Sequence, residues 1–192
     1  ASDVYKRQNQ TIEKAASEGG GTIYFPAGTY LTATIHMKSN ITLHLESGAI
    51  VRFSDRFEDY LPFVTARWEG TVMQTLSPLI YAHSADNLTI TGRGTLDGNG
   101  LKWWLWEFET RKVIKENGGK LPSLDKLQQM WVDANKDLEI SDYYKPSLER
   151  KMFRPPFIQF YECTNILIEN VKIINSPFWT VNPAFCDNVT IH

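Results

Sequence analysis

The chain has 192 residues, 42% of them hydrophobic, with 20 Lys and Arg set against 22 Asp and Glu for a net charge of −2. So even a balance creates no global field for a polyanion, and any preference for a charged ligand has to be local. The sequence holds no transmembrane run, no basic nucleic-acid patch and no glycine-rich phosphate loop, so membrane and nucleic-acid partners are not expected.

In chain order, residues 1–8 read as foreign to the fold. Asp3-Val4-Tyr5-Lys6-Arg7-Gln8 resembles a translated transposon end, so residues 1–8 are expected to be non-native or disordered, leaving a single domain over 9–192. Thr11 to Glu18 is made of helix formers and is stopped by Gly19-Gly20-Gly21. Thr22–Phe25 is a strand and Pro26–Tyr30 a turn. Further strands are predicted at Leu31–Met37, Ile41–Leu45, Ile50–Phe53, Leu79–His83, Leu88–Ile90 and Thr95–Asp97. From about 100 to 155 the composition changes. That stretch holds Trp103, Trp104, Trp106 and Trp131, with helical periodicity over Trp103–Asn117 and Leu124–Asn135 punctuated by Gly118-Gly119 and Pro122.

The last thirty residues carry the organising signal. Cys163-Thr164-Asn165-Ile166-Leu167-Ile168 returns 23 residues later as Cys186-Asp187-Asn188-Val189-Thr190-Ile191. Asn40 heads a similar phrase 47 residues before Asn87, close to two periods, and the 78 residues from Asn87 to Asn165 require an insertion. A unit of some two dozen residues cannot bury its own apolar face and has to stack on copies of itself. Each Asn is followed by alternating aliphatic residues, the mark of a strand buried on one face. Such spacing fits a parallel β-helix, with rungs about 4.8 Å apart and the asparagines laddered at one corner, where they tolerate a left-handed backbone. The helix at Thr11–Glu18 would then cap the open end.

GGGTIYFPAGTYLT, KSNITLHLESGAIVRFSD, ITGRGTLDGNG and NSPFWTVNP, in that order, resemble glycoside hydrolase family 28, the polygalacturonases. The resemblance runs from about Thr11 to His192. It implies an all-β fold, a right-handed single-stranded parallel β-helix with an N-terminal capping helix and a helical insertion. It also implies hydrolysis of α-1,4-galacturonide bonds with inversion, a pectic polysaccharide or oligogalacturonide as partner, no cofactor, a monomer, and a secreted or periplasmic location. The family's catalytic motifs are Asn-Thr-Asp, Asp-Asp, Gly-His-Gly and Arg-x-Lys. None occurs in these 192 residues, so no catalytic residue is assigned, the catalytic groups are expected beyond His192, and the chain by itself is expected to be inactive. A polysaccharide lyase of the same architecture and a non-catalytic β-helix adhesin or binding module are the alternatives.

Registering the rungs on Cys163 and Cys186 stacks Asn182 over Gln159 and Trp179 over Pro156. Trp179 becomes a candidate floor for a sugar ring, against the plainer reading of a large residue buried under a loop. Gln159 and Asn182, on one strand face, are candidates for hydrogen bonds to sugar hydroxyls, against an ordinary polar ladder. Arg154, fixed by Pro155 and Pro156, is the candidate carboxylate-binding residue, against a solvated loop charge. Trp103, Trp104 and Trp106 either wall a cleft or hold the insertion onto the coils. The Asn-x-Thr matches at Asn40, Asn87 and Asn188 are explained by the ladder. Cys163 and Cys186 lie within disulfide reach by Cα spacing, but in-register side chains point the same way, so two buried thiols are expected. His36, His44, His83 and His192 show no metal-ligand spacing, and no metal site is assigned; Asp55, Glu58 and Asp59 read as a solvated turn.

Overall fold

The structure is a computed structural model describing residues 2–139 and 154–192, with side chains from residue 8 onward. It opens with α1 (Ser2–Ser17), which is longer than expected. Nothing from Ser2 to Gln10 breaks a helix, so the backbone of α1 begins at Ser2. Gly19 and Gly20 end α1 at φ of 99° and 120°. Ile12, 1% exposed, buries the inner face of the helix in the core. Asn9 accepts from the His36 N–H at 3.0 Å and donates to the Thr34 carbonyl at 2.9 Å, so the helix is tied across the end of the first coil.

The chain then winds as coils of three short strands. The first coil holds β1 (Gly21–Phe25), β2 (Gly28–Thr32) and β3 (Ile35–His36). Next come β4 (Ile41–Leu45) and β5 (Ala49–Phe53), an antiparallel hairpin of β6 (Val64–Trp68) and β7 (Thr71–Thr75), and β8 (Ile80–His83). The third coil holds β9 (Asp86–Gly92), β10 (Thr95–Asp97), α2 (Leu101–Glu116), α3 (Lys126–Ala134) and β11 (Ile158–Tyr161). The last rungs are β12 (Thr164–Ile168), β13 (Lys172–Ile174) and β14 (Asp187–Ile191).

Three parallel sheets result, ordered β1-β4-β9-β12-β14, β2-β5-β10-β13 and β3-β8-β11. The third is extended by single bridges from Ile158 to Val181 and from Tyr161 to Ala184. Ile41, Leu43, Leu45, Val51, Phe53, Leu88 and Ile90 are all 0% exposed, stacked between the sheets. Each contributes about 1.5–3 kcal/mol by leaving water.

The asparagine corner forms as expected. Asn40, Asn87, Asn165 and Asn188 have φ of 62°, 58°, 55° and 53°. Asn87 Nδ2 donates to Asn40 Oδ1 at 3.0 Å, and Asn188 Nδ2 to Asn165 Oδ1 at 2.6 Å. Asn165 Nδ2 bonds Asp86 Oδ1 at 2.7 Å instead of Asn87. Cys163 and Cys186 are free thiols at the same corner.

Three expectations need correction. Asn40 and Asn87 lie on adjacent rungs, not two periods apart, because residues 54–79 make an excursion that holds the hairpin. The span Leu31–Met37 is broken into β2 and β3 at Ala33-Thr34, where Thr34 Oγ1 bonds Ser77 Oγ and the Pro78 carbonyl, each at 2.8 Å. The turn at Pro26–Tyr30 shrinks to Pro26-Ala27, since β2 starts at Gly28. The helices of the insertion fall close to their predicted limits. Asp125 starts α3 with a capping box, accepting from the Gln128 N–H at 2.8 Å while Gln128 Oε1 accepts from the Asp125 N–H at 2.9 Å.

The excursions among the described residues leave from one corner, between the second and third sheets: residues 54–79, 98–139 with 154–157, and 175–180. They touch one another, as Trp68 on Phe178 and Trp104 on Ser176 show, and the hairpin of the first lies on the outer face of the third sheet.

Candidate functional site

The outer face of the third sheet is built by alternation. Ile80, Ala82, Ile158 and Phe160 point into the core, so Tyr81, His83, Gln159, Tyr161, Asn182 and Ala184 point out. Pairing sets up a column His36–Tyr81–Gln159–Asn182 and a second column His83–Tyr161–Ala184. Strand β6 lies along the first column. Tyr81 Oη donates to the Thr65 carbonyl at 2.6 Å. Gln159 Oε1 accepts from the Arg67 N–H at 2.9 Å, and its Nε2 donates to the Arg67 carbonyl at 2.8 Å. Burial pushes the Tyr81 hydroxyl pKa upward, so this phenol stays a donor.

Gln159 therefore stands where the register put it, beneath Asn182, but it is 0% exposed and both ends of its amide grip the hairpin. It clamps an excursion and is closed to a ligand, a correction to its expected role. Asn182 is one rung beyond that clamp. Only 8% of it is exposed, and its Nδ2 has no acceptor among the described residues. A buried amide donor left unmatched is costly and uncommon.

Arg154 also needs correcting. Its side chain is 16% exposed and forms an ion pair with Glu107 of α2; its Nη1 donates to the Pro177 carbonyl at 2.8 Å, and its guanidinium lies 5.1 Å from the Phe178 ring centre. Burial lowers its pKa; Glu107 opposes that, while Arg111 pushes the same way. Arg154 is thus a partly buried, ion-paired cation and not the open carboxylate receptor expected.

Trp179 is 43% exposed. It stacks on Phe178 at 5.1 Å and 9°, and Phe178 stacks on Trp68 of the hairpin at 5.3 Å and 10°. Three parallel rings thus bridge two excursions, with Trp179 as the open end. The loop carrying them is held from below, where the Phe157 N–H donates to the Trp179 carbonyl at 2.8 Å, and from the side, where Trp104 Nε1 donates to the Ser176 carbonyl at 2.9 Å.

The other insertion tryptophans are packing residues. Trp103 is 0% exposed against Phe57 and Tyr60, Trp106 lies on Phe57, and Trp131 packs with Trp68 and Met73. The basic run Arg150–Phe153 lies outside the described residues.

Trp68, Phe178, Glu107 and Arg67 were not singled out from the sequence. Phe178 was in reach, since it sits beside Trp179 in one motif. Trp68 and Arg67 were not, because the segment 54–79 showed no usable period. Beyond the second column lies Phe185, 64% exposed, edge-on to Tyr161 at 5.5 Å and 5.9 Å from the Arg67 guanidinium. His83 Nε2 faces Glu162 Oε2 at 3.4 Å. No group of three or more metal-ligating side chains occurs among the described residues, and no helix there is long and apolar enough to cross a membrane.

No family model matches the chain. It is 27% identical over 186 residues to a probable polygalacturonase from Vitis vinifera, an alignment covering 94% of this chain and 30% of that protein. Among solved structures, a hyperthermoactive exopolygalacturonase from Thermotoga maritima superposes with a TM-score of 0.72 at 37% identity, over 95% of this chain and 40% of its own. The family 28 exopolygalacturonase of Yersinia enterocolitica superposes at 0.64 over 97% of this chain and 35% of its own, at 20% identity, a likeness of fold. The chain therefore spans about a third of the length of these relatives. In sequence and in fold the chain is polygalacturonase-like, a stretch of right-handed parallel β-helix similar to that of these exopolygalacturonases.

Proposed function

We propose that this chain is part of a pectin-degrading glycoside hydrolase that cleaves α-1,4-galacturonide bonds with inversion, in a secreted or periplasmic setting. The observation that carries this reading is the likeness to the Thermotoga exopolygalacturonase, 37% identity along 95% of the chain. Neither the lyase nor the adhesin alternative has a comparable observation behind it.

Inversion needs one carboxylic acid to protonate the leaving oxygen and another carboxylate to activate water on the opposite face of the ring, the two standing about 6.5–9.5 Å apart. Three acidic residues are already engaged: Glu107 by two arginines, Asp97 of the second sheet by Arg52 and Asn175, and Glu162 facing His83. On this reading the described residues supply the binding floor and not the chemistry. Trp179 offers an aromatic face for a pyranose ring, while Asn182 Nδ2, buried and without an acceptor among the described residues, lies one rung beyond the closed Gln159.

The purified chain, incubated with polygalacturonate, should bind oligogalacturonides without releasing reducing ends. Release of reducing ends would refute the assignment of the chemistry to residues outside this chain. Unsaturated, ultraviolet-absorbing products would refute the hydrolase reading itself.

A further inference from the structure

We propose that Arg111, on the inserted helix α2, receives a sugar carboxylate beside the Trp179 face and sets the preference of this site for a uronide over a neutral sugar. The inference rests on the pectic reading above and names the group that senses the substrate's charge.

Glu107 is one carboxylate between two guanidinium groups. Arg154 holds Oε2 and Arg111 holds Oε1. Three charged groups with one negative among them leave a surplus of one positive charge. The two arginines differ in what else engages them. Arg154 is boxed in by the Pro177 carbonyl and the Phe178 ring. Arg111 has 53% of its side chain exposed, and a guanidinium carries five N–H donors in a planar fork that fits a carboxylate. The surplus charge therefore falls on the open partner.

Position follows from the helix. Trp104, Glu107 and Arg111 are spaced i, i+3 and i+7, so they lie on one stripe of α2. Trp104 bonds Ser176, and Glu107, through Arg154, reaches Pro177 and Phe178. Arg111, Glu107, Arg154, Phe178 and Trp179 thus form an unbroken series of direct neighbours. An exposed ring face and a half-exposed guanidinium, joined to it through Glu107, Arg154 and Phe178, are the two elements a hexuronate needs: a surface for its ring and a counter-charge for its carboxylate.

The test is calorimetric titration of the purified chain with trigalacturonate and with its fully methyl-esterified form. Arg111→Gln should weaken binding of the acid about tenfold, the scale of one charge-assisted hydrogen bond, and leave the ester unchanged. Arg111→Lys should recover part of the loss, since it restores the charge but not the fork. Trp179→Ala should weaken both forms alike. Circular dichroism of the half-exposed Arg111 variants should match that of the unsubstituted chain, which separates a binding loss from misfolding. If Arg111→Gln affects both forms equally, or neither, while Trp179→Ala still weakens binding, the Arg111 assignment falls and the pectic reading stands. If the unsubstituted chain binds neither sugar, both fall.

Discussion

Glu107→Gln is the substitution that probes the wall of this site most directly. It preserves the shape of the side chain but leaves one acceptor oxygen where two guanidinium groups had one each, and it removes the only negative charge of the cluster. The carboxylate is 9% exposed and the Arg154 side chain 16%, so Arg154 stays desolvated beside Arg111 with its counter-ion gone. Removing one member of a buried pair costs about 3–5 kcal/mol, a large part of a domain stability that is typically about 5–15 kcal/mol. Arg111 is half exposed and screened by solvent, so Arg111→Gln should cost less than about 1 kcal/mol. The double variant Glu107→Gln with Arg154→Met removes both buried charges. It should be less destabilised than the sum of its parts, with a coupling of about 0.5–3 kcal/mol. Urea unfolding followed by far-ultraviolet circular dichroism reads all three, provided the m-value is unchanged. A Glu107→Gln protein within about 0.5 kcal/mol of the parent, or an Arg111→Gln protein equally destabilised, would show that this cluster is not a buried, singly neutralised pair of arginines.

Two further substitutions test the frame behind the site. Asn165 holds φ at 55° and bonds Asp86 and Asn188. Asn165→Ala should lose those bonds while keeping a β-carbon in the left-handed region, which leaves it about 1–2 kcal/mol below the glycine variant. Asn165→Gly should lose the bonds alone, so equal urea midpoints for the two variants would contradict the account of the corner. Asp97, 3% exposed, accepts from Arg52 Nε at 2.9 Å, from Asn175 Nδ2 at 2.8 Å and from the Asn99 N–H at 3.0 Å. Burial by itself would raise the pKa of this carboxylate, but these donors outweigh it and hold the value below the usual range. Its contribution is therefore fully present above the unfolded value of about 3.9 and is lost as pH falls through the lower folded value. The stability gap between the parent and Asp97→Asn should narrow as pH drops below about 4, and a gap independent of pH there would refute this.

What could be read from the sequence is what repeats. Asn followed by alternating aliphatics marks a corner and the strand after it, because only a stacked unit of two dozen residues needs both. The 23-residue shift then gave the height of side chains along the axis, and Gln159 does lie under Asn182. The interval from Asn40 to Asn87 misled because 47 residues fit two plain rungs as well as one rung with a hairpin let out of it. Burial and pairing decide between them, and neither is a local property. The same limit explains the errors at the site. Height says which rung a residue is on, not what lies across from it. Gln159 is closed by Arg67, 92 residues away, and Arg154 is neutralised by Glu107 of α2, at the other end of its own excursion. The rungs repeat the same backbone frame from coil to coil. The excursions differ, and all three leave from one corner, so they decide which side chains of that face meet a ligand. Specificity in this β-helix should accordingly be sought at Arg67, Glu107 and Arg111, residues of the excursions, and less in the strands beneath them.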